Sequence, residues 1–243
     1  MHIIKVDAID STNTFLRKLY REKQYSSPVC VIAKRQLEGK GQMGTIWQSN
    51  FGENLTCSVF MPIEEVFLKD QFFISMSTAL AVMDTMRVFM VPKLSIKWPN
   101  DILSGKQKIC GILIENIVKN GSLSGAILGI GLNVNQMEFD NLPQAGSLKQ
   151  ILGKKISVEE VASVLLKNIE NRFIRCNPKH FEILKTEYEN VLFRKNNPST
   201  FKNIEGDYFV GIIQAVTNIG KLRLLLEDNV IKDYDLKEVK MLY

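Results

Sequence analysis

Hydrophobic residues recur along the chain with two periods, which predict strands and helices. The β-branched and apolar runs at residues 29–35 and 55–62 are typical of buried strands. Between residues 70 and 90 the apolar positions have helical spacing, at Phe73, Met76, Leu80, Met83 and Met86. The first part of the chain is therefore predicted to alternate strands with helices.

Further helices are predicted from their capping residues. The D-S-T-N segment at 10–13 precedes F-L-R-K-L, so Ser11 or Thr12 can cap a helix there. The S-V-E-E segment at 157–160 is a capping-box pattern, and an apolar stripe continues from it to about residue 175. Another helix is predicted at about 178–190.

The middle of the chain predicts three strands, at 94–98, 109–116 and 124–134. Asn120-Gly121 supplies positive φ at both positions of a turn, so the last two strands are expected to form a tight antiparallel hairpin. One face of the last strand carries Gly129, Gly131 and Asn133. That face is nearly free of side chains and suits a ligand floor.

The composition changes at N-N-P-S-T, residues 196–200, which is typical of a linker. From Tyr208 onward short strands alternate with turn residues, enough for a small barrel. The predicted organisation is a domain of residues 1–195 followed by a small β domain of residues 196–243.

Composition narrows the class of protein. With 243 residues and 45% hydrophobic residues, the chain can bury a sizeable core. It has no apolar run long enough for a membrane span and no signal-peptide pattern, so we expect no membrane partner and a cytoplasmic location. Four widely spaced cysteines among apolar neighbours are expected to be reduced core residues.

Charge and histidine content exclude some chemistry. The chain has only two histidines, His2 and His180, which are far apart in sequence, and this argues against a zinc site or a Ser-His-Asp triad. The net charge of +5 permits an acidic partner. Because the basic residues are spread along the chain and not clustered beside aromatic residues, we expect no DNA binding.

Three segments carry candidate chemistry. The glycines in G-K-G-Q-M-G at 39–44 allow backbone N–H groups to approach an anion, although a flexible surface loop is an alternative. K-W-P-N-D at 97–101 places polar residues at the end of a strand, where a simple turn is the alternative. K-I-C-G-I-L-I-E at 108–115 begins with Lys108, which is either a site residue or a solvated edge lysine. Together the segments suit an anionic ligand such as a nucleotide phosphate.

The order and spacing of these motifs resemble the catalytic unit of biotin protein ligases over nearly the whole chain. The matching segments are S-T-N at 11–13, K-W-P-N-D-I at 97–102, K-x-x-G-I-L-x-E at 108–115 and G-x-G-x-N-x-N at 129–135. The resemblance implies an α+β fold with a mixed, largely antiparallel sheet covered by helices, similar to class II aminoacyl-tRNA synthetases. It also implies a small C-terminal SH3-like β-barrel.

The glycine loop departs from the family pattern G-R-G-R-x-G-R-x-W. Its glycines and Trp47 match, but Lys40, Gln42 and Thr45 stand where the family has arginines. A lysine keeps the charge without the guanidinium fork, whereas Gln42 offers a neutral hydrogen bond.

The resemblance also implies roles for individual residues. Lys108, Lys40 and Asp101 are the implied catalytic residues, with Asp101 also assigned to Mg²⁺. The implied biotin-binding residues are Ser11, Thr12, Asn13, Gln36, Lys40, Gly41, Gln42, Lys108 and Gly111. The implied ATP- and adenylate-binding residues are Gly39, Gly44, Trp47, Asn100 and Asn133.

The implied activity is that of a ligase which activates biotin as biotinyl-5'-AMP and transfers it to a carrier lysine. Biotin, ATP and Mg²⁺ would be bound, without a tight prosthetic group, and the expected partner is the biotin carboxyl carrier domain of a carboxylase. A homodimer through an exposed sheet edge is compatible with the pattern. The alternatives are a lipoate or octanoate ligase of the same superfamily and a non-catalytic biotin-binding regulator.

Overall fold

A mixed sheet of seven strands forms the larger part of the fold. The computed structural model describes residues 1–64 and 66–243. The strands are β1 (His2–Ile9), β2 (Val29–Gln36), β3 (Leu55–Pro62), β4 (Leu94–Lys97), β5 (Asp101–Ser104), β6 (Gln107–Lys119) and β7 (Ser122–Leu132). Their order across the sheet is β1-β2-β3-β7-β6-β5-β4. The β1–β2 pair is parallel and the other neighbouring pairs are antiparallel, which confirms the predicted mixed and largely antiparallel sheet.

Helices cover both faces of this sheet. They are α1 (Thr12–Lys23), α2 (Phe72–Val88), α3 (Leu148–Leu152), α4 (Val158–Ile174) and α5 (Phe181–Asn190). On one face Leu16 of α1 packs with Val31, Phe60 and Ile127. On the other face the core includes residues of α2, α4 and α5. Helix α2 is buried over most of its surface, as its apolar sequence predicts, and its five predicted stripe residues are all buried.

The predicted helix caps are confirmed in part. Ser11 is the N-cap of α1, and its hydroxyl accepts a hydrogen bond from the N–H of Thr14. Ser157 caps α4 through the N–H of Glu160. A reciprocal capping box forms at Ser147, where α3 begins, and the sequence patterns do not predict this short helix.

Two strands were also missed. β1 is an edge strand with mostly exposed side chains, so it lacks the apolar signal of its neighbour β2. β5 has four residues and follows directly on the Trp98–Pro99 turn, which leaves too little sequence for a periodic pattern. The predicted hairpin between β6 and β7 is present, with φ angles of 51° at Asn120 and 77° at Gly121.

A second, antiparallel sheet follows. Its strands are β8 (Pro198–Asn203), β9 (Tyr208–Val216), β10 (Leu222–Leu225), β11 (Ile231–Tyr234) and β12 (Val239–Leu242), in the order β11-β10-β9-β8-β12. No pairing joins β11 to β12 in the described part of the chain, so the predicted barrel is observed as a five-stranded sheet. This sheet contacts the rest of the protein where the Val216 N–H donates to Glu189 of α5 and where the Trp98 indole N–H donates to the Gly220 carbonyl.

All four cysteines are free and buried, as predicted. A hydrogen bond with Cys57, together with burial, raises the pKa of the Cys30 thiol, which favours the protonated form. Within residues 1–64 and 66–243, no helix combines the length and the apolar character needed to cross a bilayer.

The helical layer is tied together by Arg172 of α4. Its guanidinium contacts Asp84 of α2, at 2.6 Å, and Glu187 of α5. Because Arg172 is mostly buried, we expect Arg172→Met to lower the free energy of unfolding by about 2 kcal/mol. Denaturant unfolding followed by circular dichroism measures this loss.

Arg87 is the matched control, since it also pairs with Asp84 but is half-exposed. Arg87→Met should lower the free energy of unfolding by under about 0.5 kcal/mol. Equal losses in the two variants would contradict the assignment.

Candidate active site

A cavity of about 690 Å³ opens between the glycine loop, one end of the seven-stranded sheet and the second sheet. Most of the predicted site residues line it: Ser11, Thr12, Asn13, Gln36, Lys40, Gly41, Gln42, Trp47, Asn100, Asp101, Lys108, Gly111 and Asn133. Gly39 and Gly44 are not among the lining residues. Segments that are more than a hundred residues apart in sequence therefore meet at one cavity.

One end of the cavity is a network of neutral polar groups. The Gln36 side-chain oxygen accepts hydrogen bonds from the Thr12 N–H, at 2.8 Å, and from the Thr12 hydroxyl, at 3.0 Å. The Ser58 hydroxyl lies 2.7 Å from the Thr12 hydroxyl oxygen and 2.5 Å from the Asn13 side-chain oxygen. Ser58 is fully buried and was not predicted. These contacts fix the orientation of Thr12, Asn13 and Gln36, so this end can recognise a ligand through directional hydrogen bonds.

The glycine loop, residues 39–47, folds as a short hairpin. Lys40 pairs with Ile46, and the Trp47 N–H donates to the Gly39 carbonyl at 2.9 Å. A Cβ atom at Gly39 would lie 2.2 Å from the Trp47 carbonyl oxygen, so this position requires glycine. Gly44, with φ of 79°, forms the tip. Gly39 and Gly44 therefore shape the loop without reaching the cavity wall.

The predicted ligand floor is partly covered by the Trp47 indole. A Cβ atom at Gly131 would lie 2.3 Å from the indole ring, and one at Gly111 would lie 3.0 Å from it. The ring therefore packs against two neighbouring strands at positions that have no side chains. Its N–H is buried and has no hydrogen-bond acceptor among the described residues, so it is free to donate to a ligand.

A row of charges occupies the other end of the cavity. The Asp101 carboxylate lies 2.6 Å from the Lys108 ammonium and 3.9 Å from the Lys97 ammonium. The Lys108 ammonium also lies 5.8 Å from the centre of the Trp47 ring. These charges stand where strands β4, β5 and β6 come together, and their sum is positive. The arrangement suits a ligand whose negative charge lies near Lys108.

The environment of Lys97 makes its charged form less favourable than in water. Burial lowers the pKa of Lys97, Asp101 opposes that shift, and the cations Lys108 and Lys240 add to it. The Lys97 ammonium stands 5.1 Å from the centre of the Tyr243 ring. Burial and the nearby Asp101 raise the pKa of the Tyr243 hydroxyl to about 12, so this group is neutral at physiological pH.

Two predicted asparagines are held by the backbone. The Asn100 side chain donates to the Ile112 carbonyl at 2.6 Å. The Asn133 side chain donates to the Gly146 carbonyl at 3.0 Å and is almost fully buried. Both residues line the cavity, but each has one side-chain group already in use, which leaves its carbonyl oxygen for a ligand.

The sequence did not reveal several lining residues. Lys97 belongs to the K-W-P-N-D motif, but the sequence predicts no binding or catalytic role for it. Phe139 and Gln144 lie in a loop whose sequence has no periodic pattern. The second sheet contributes Lys202, Lys237, Lys240 and Tyr243. No local pattern marks these residues, because their position depends on how the two sheets pack together.

The described residues contain no group of three or more histidine, cysteine, aspartate or glutamate side chains that could hold a metal ion. The Asp101 carboxylate is paired with two ammonium groups instead. Among the described residues, Asp101 could therefore serve only as one of several oxygen ligands of a Mg²⁺ ion, the others coming from a ligand or from water.

Sequence comparisons identify similar proteins. The profile of the biotin/lipoate A/B protein ligase family matches residues 6–133, more than half of the chain. The chain is 29% identical to the biotin–[acetyl-CoA-carboxylase] ligase of Mycobacterium tuberculosis, over 81% of this chain and 73% of that protein. It is 28% identical to the bifunctional ligase/repressor BirA of Escherichia coli, over 93% of this chain and 70% of that protein.

Solved structures show the same fold. The biotin protein ligase of Aquifex aeolicus in complex with biotin and ATP aligns with a TM-score of 0.81 at 24% identity, covering 99% of this chain and 98% of that one. A point mutant of the Aquifex aeolicus ligase in complex with biotin aligns with a TM-score of 0.77 at 26% identity, covering 100% and 98%. The seven-stranded and five-stranded sheets are thus both matched.

The contact between Trp47 and the glycine floor is testable. In Gly131→Ala the new methyl group would overlap the indole, so Trp47 must leave the floor and become more exposed. We expect the tryptophan emission to shift to longer wavelength. The background from buried Trp98 is measured in a Trp47→Phe variant, and Gly131→Ala in that background should leave the emission unchanged. An unshifted spectrum in the single variant would show that the ring does not lie on Gly131.

Proposed function

The chain belongs to the biotin/lipoate A/B protein ligase family, and from this premise we infer that it is an ATP-dependent biotin protein ligase. The observation that carries the inference is the cavity itself. It joins a neutral hydrogen-bonding end, at Thr12 and Gln36, to a cationic end, at Lys108, across a glycine floor that the Trp47 indole partly covers. Biotin has a neutral ureido ring and an anionic carboxylate, which suit these two ends.

The reaction has two steps. In the first, a carboxylate oxygen of biotin bonds to the α-phosphorus of ATP, and the bond from that phosphorus to the bridging oxygen breaks to release pyrophosphate. In the second, a lysine amine of the acceptor bonds to the biotinyl carbonyl carbon, AMP leaves and the amine loses a proton. Both reactants of the first step are anions, so fixed positive charge near the reacting atoms is the main requirement.

Lys108 is the proposed source of that charge. It is a third exposed, so its ammonium can reach a ligand, and it points into the cavity from the start of β6. In the proposed complex it lies between the biotin carboxylate and the α-phosphate. Lys40, whose ammonium now donates to the Thr14 hydroxyl at 3.2 Å, would supply a second charge from the glycine loop.

Ser11, Thr12, Asn13 and Gln36 are proposed to receive the ureido ring. The network that includes Ser58 holds these groups in place before binding, which reduces the entropy cost of recognition. Gly41 and Gln42 would cover biotin from the loop, and Gly111 would face it from the floor. Because the Trp47 indole touches Gly111, biotin must share this part of the floor with the ring.

The adenylate half is proposed to lie toward Asn100 and Asn133. Both residues line the cavity and keep a side-chain oxygen that can accept a hydrogen bond. Trp47 offers its unpaired indole N–H to the adenylate. Gly39 and Gly44 would act by setting the shape of the loop. Mg²⁺ belongs to the ATP substrate here, and Asp101 is the proposed carboxylate beside it.

Lipoate or octanoate ligation is the second candidate within the family, because the family includes both chemistries. The polar network at Thr12 and Gln36 favours biotin, since the ring of lipoate offers no N–H or carbonyl group to it. A regulator without catalysis is less well supported, because it has no need for Lys108 beside the carboxylate site. Pyrophosphate release measured with biotin or lipoate in turn separates all three.

The acceptor is proposed to be a biotin carboxyl carrier domain, as the names of the acetyl-CoA-carboxylase ligase relatives suggest. The predicted division into residues 1–195 and 196–243 is retained as a proposal about domains. Dimerisation through an exposed sheet edge, the absence of DNA binding and the cytoplasmic location also stay predictions.

The role of Lys108 is tested by Lys108→Ala. We expect biotin-dependent pyrophosphate exchange to fall by at least about 100-fold, because the variant removes the charge nearest the reacting atoms. Circular dichroism should be unchanged, since the side chain is not part of the core. Lys106→Ala is the matched control, because Lys106 is exposed on the preceding turn and should be replaceable without loss. A wild-type exchange rate in Lys108→Ala would remove Lys108 from the mechanism.

Gln42 is expected to hold the adenylate less tightly than an arginine would. Gln42 lines the cavity from the loop, so Gln42→Arg places a guanidinium there and should slow adenylate release about threefold to fivefold. Release is followed with radiolabelled biotinyl-adenylate in a filter assay. Leu37→Arg adds the same charge to an exposed position outside the cavity and should not slow release. Equal rates for wild type and Gln42→Arg would discard the hypothesis.

A further inference from the structure

The backbone of Lys108 is clamped by a loop segment, residues 144–146. The Lys108 N–H donates to the Gln144 carbonyl at 2.6 Å, and the Gly146 N–H donates to the Lys108 carbonyl at 2.9 Å. The position of this lysine therefore depends on a segment outside its own sheet as well as on β5, where Leu103 lies opposite Lys108.

Tyr243, just after β12, touches that segment. The Gln144 side-chain amide donates to the Tyr243 main-chain oxygen at 2.7 Å. The Tyr243 ring also packs edge to face against Phe193, with 5.1 Å between the ring centres. The Phe193 N–H in turn donates to the carbonyl of Ile96, the residue before Lys97. Tyr243 thus links the second sheet to the segment that clamps Lys108 and, through Phe193, to strand β4.

The same ring reaches the side-chain end of Lys108 through two charges. Its face lies 5.1 Å from the Lys97 ammonium, and Lys97 shares the Asp101 carboxylate with Lys108. When Lys108 turns toward the anionic reactants, it must give up its contact with Asp101. A buried carboxylate left alone would oppose that movement, whereas Lys97 remains as its partner. An aromatic face beside Lys97 stabilises that ammonium at its place.

We propose that Tyr243 is a positioning residue for adenylate formation: through Lys97 and Gln144 it holds Lys108 where the carboxylate and the α-phosphate meet. This inference rests on the proposed ligase function. The charged groups facing Lys97 are Asp101, Lys108 and Lys240, and Tyr243 is the aromatic group that faces it. The ring makes this contact, because the Lys97 ammonium lies over it.

The test compares Tyr243→Leu with Tyr243→Phe. We expect kcat for biotin-dependent pyrophosphate exchange to fall about 10-fold in Tyr243→Leu, or about 1.4 kcal/mol. The KM for biotin should stay unchanged, because the Thr12 and Gln36 network is at the other end of the cavity. Tyr243→Phe keeps the ring and should stay within about twofold of wild type. A purely structural role for Tyr243 would not separate kcat from KM in this way.

A matched control exists in the same sheet. The ring of Tyr208 stands 5.5 Å from the Lys202 ammonium, and Tyr208 is not among the residues that line the cavity. Tyr208→Leu should therefore keep the wild-type kcat. Thermal unfolding and biotin binding by equilibrium dialysis confirm that each variant is folded. An unchanged kcat in Tyr243→Leu, or equal losses in the Leu and Phe variants, would overturn the proposal.

A double variant tests the route through Lys97. If Tyr243 acts mainly through Lys97, then Tyr243→Leu in a Lys97→Met background should cause little further loss of kcat. Fully additive losses would overturn that route. Absence of biotin-dependent exchange in the wild-type protein would instead refute the ligase function, so the two failures are distinguishable.

Discussion

The Asp101 carboxylate, shared between two lysine ammonium groups, is the constraint on which the site depends. In this partly buried site each lysine attracts the carboxylate and repels the other lysine strongly. A small movement of one group therefore changes the interaction energy of the other two. Strands β4, β5 and β6 place these residues at fixed spacing, and the wall of the cavity is built around them. Binding of an anion beside Lys108 relieves the excess positive charge. The unliganded arrangement therefore favours the substrates of an adenylating enzyme.

The glycine floor determines how closely a ligand can approach the backbone of the sheet. A sheet covered by helices on both faces has side chains on both faces, and a flat ligand can approach the backbone only where those side chains are removed. Gly111 and Gly131 lie directly opposite each other on β6 and β7, which doubles the cleared area. Trp47 uses part of that area to anchor the glycine loop. A ligand on this floor would therefore compete with the indole for the cleared surface, and its binding would be coupled to the position of the loop.

Local sequence predicted those parts of the structure that local physics determines. The buried strands, the long apolar helix, the Ser11 cap and the Asn120-Gly121 turn depend on periodicity and on backbone preferences of a few residues. β1, β5 and α3 were missed because an exposed edge strand, a strand of four residues and a helix of five residues carry almost no pattern. The order of motifs led to most of the cavity lining. It did not lead to Ser58 or Tyr243, because their contacts are with residues that are distant in sequence.

The second sheet contributes residues to the cavity. Hydrogen bonds from Trp98 to Gly220 and from Gln144 to Tyr243 join the second sheet to the residue after Lys97 and to the segment that clamps the Lys108 backbone. An enzyme that must keep a reactive adenylate from water gains by closing its cavity with a second element. Here that element also carries the aromatic ring that faces Lys97. Packing between the sheets is therefore linked to the geometry of the charged groups, and under the proposed role of Tyr243 a change at their interface would alter catalysis by moving these groups.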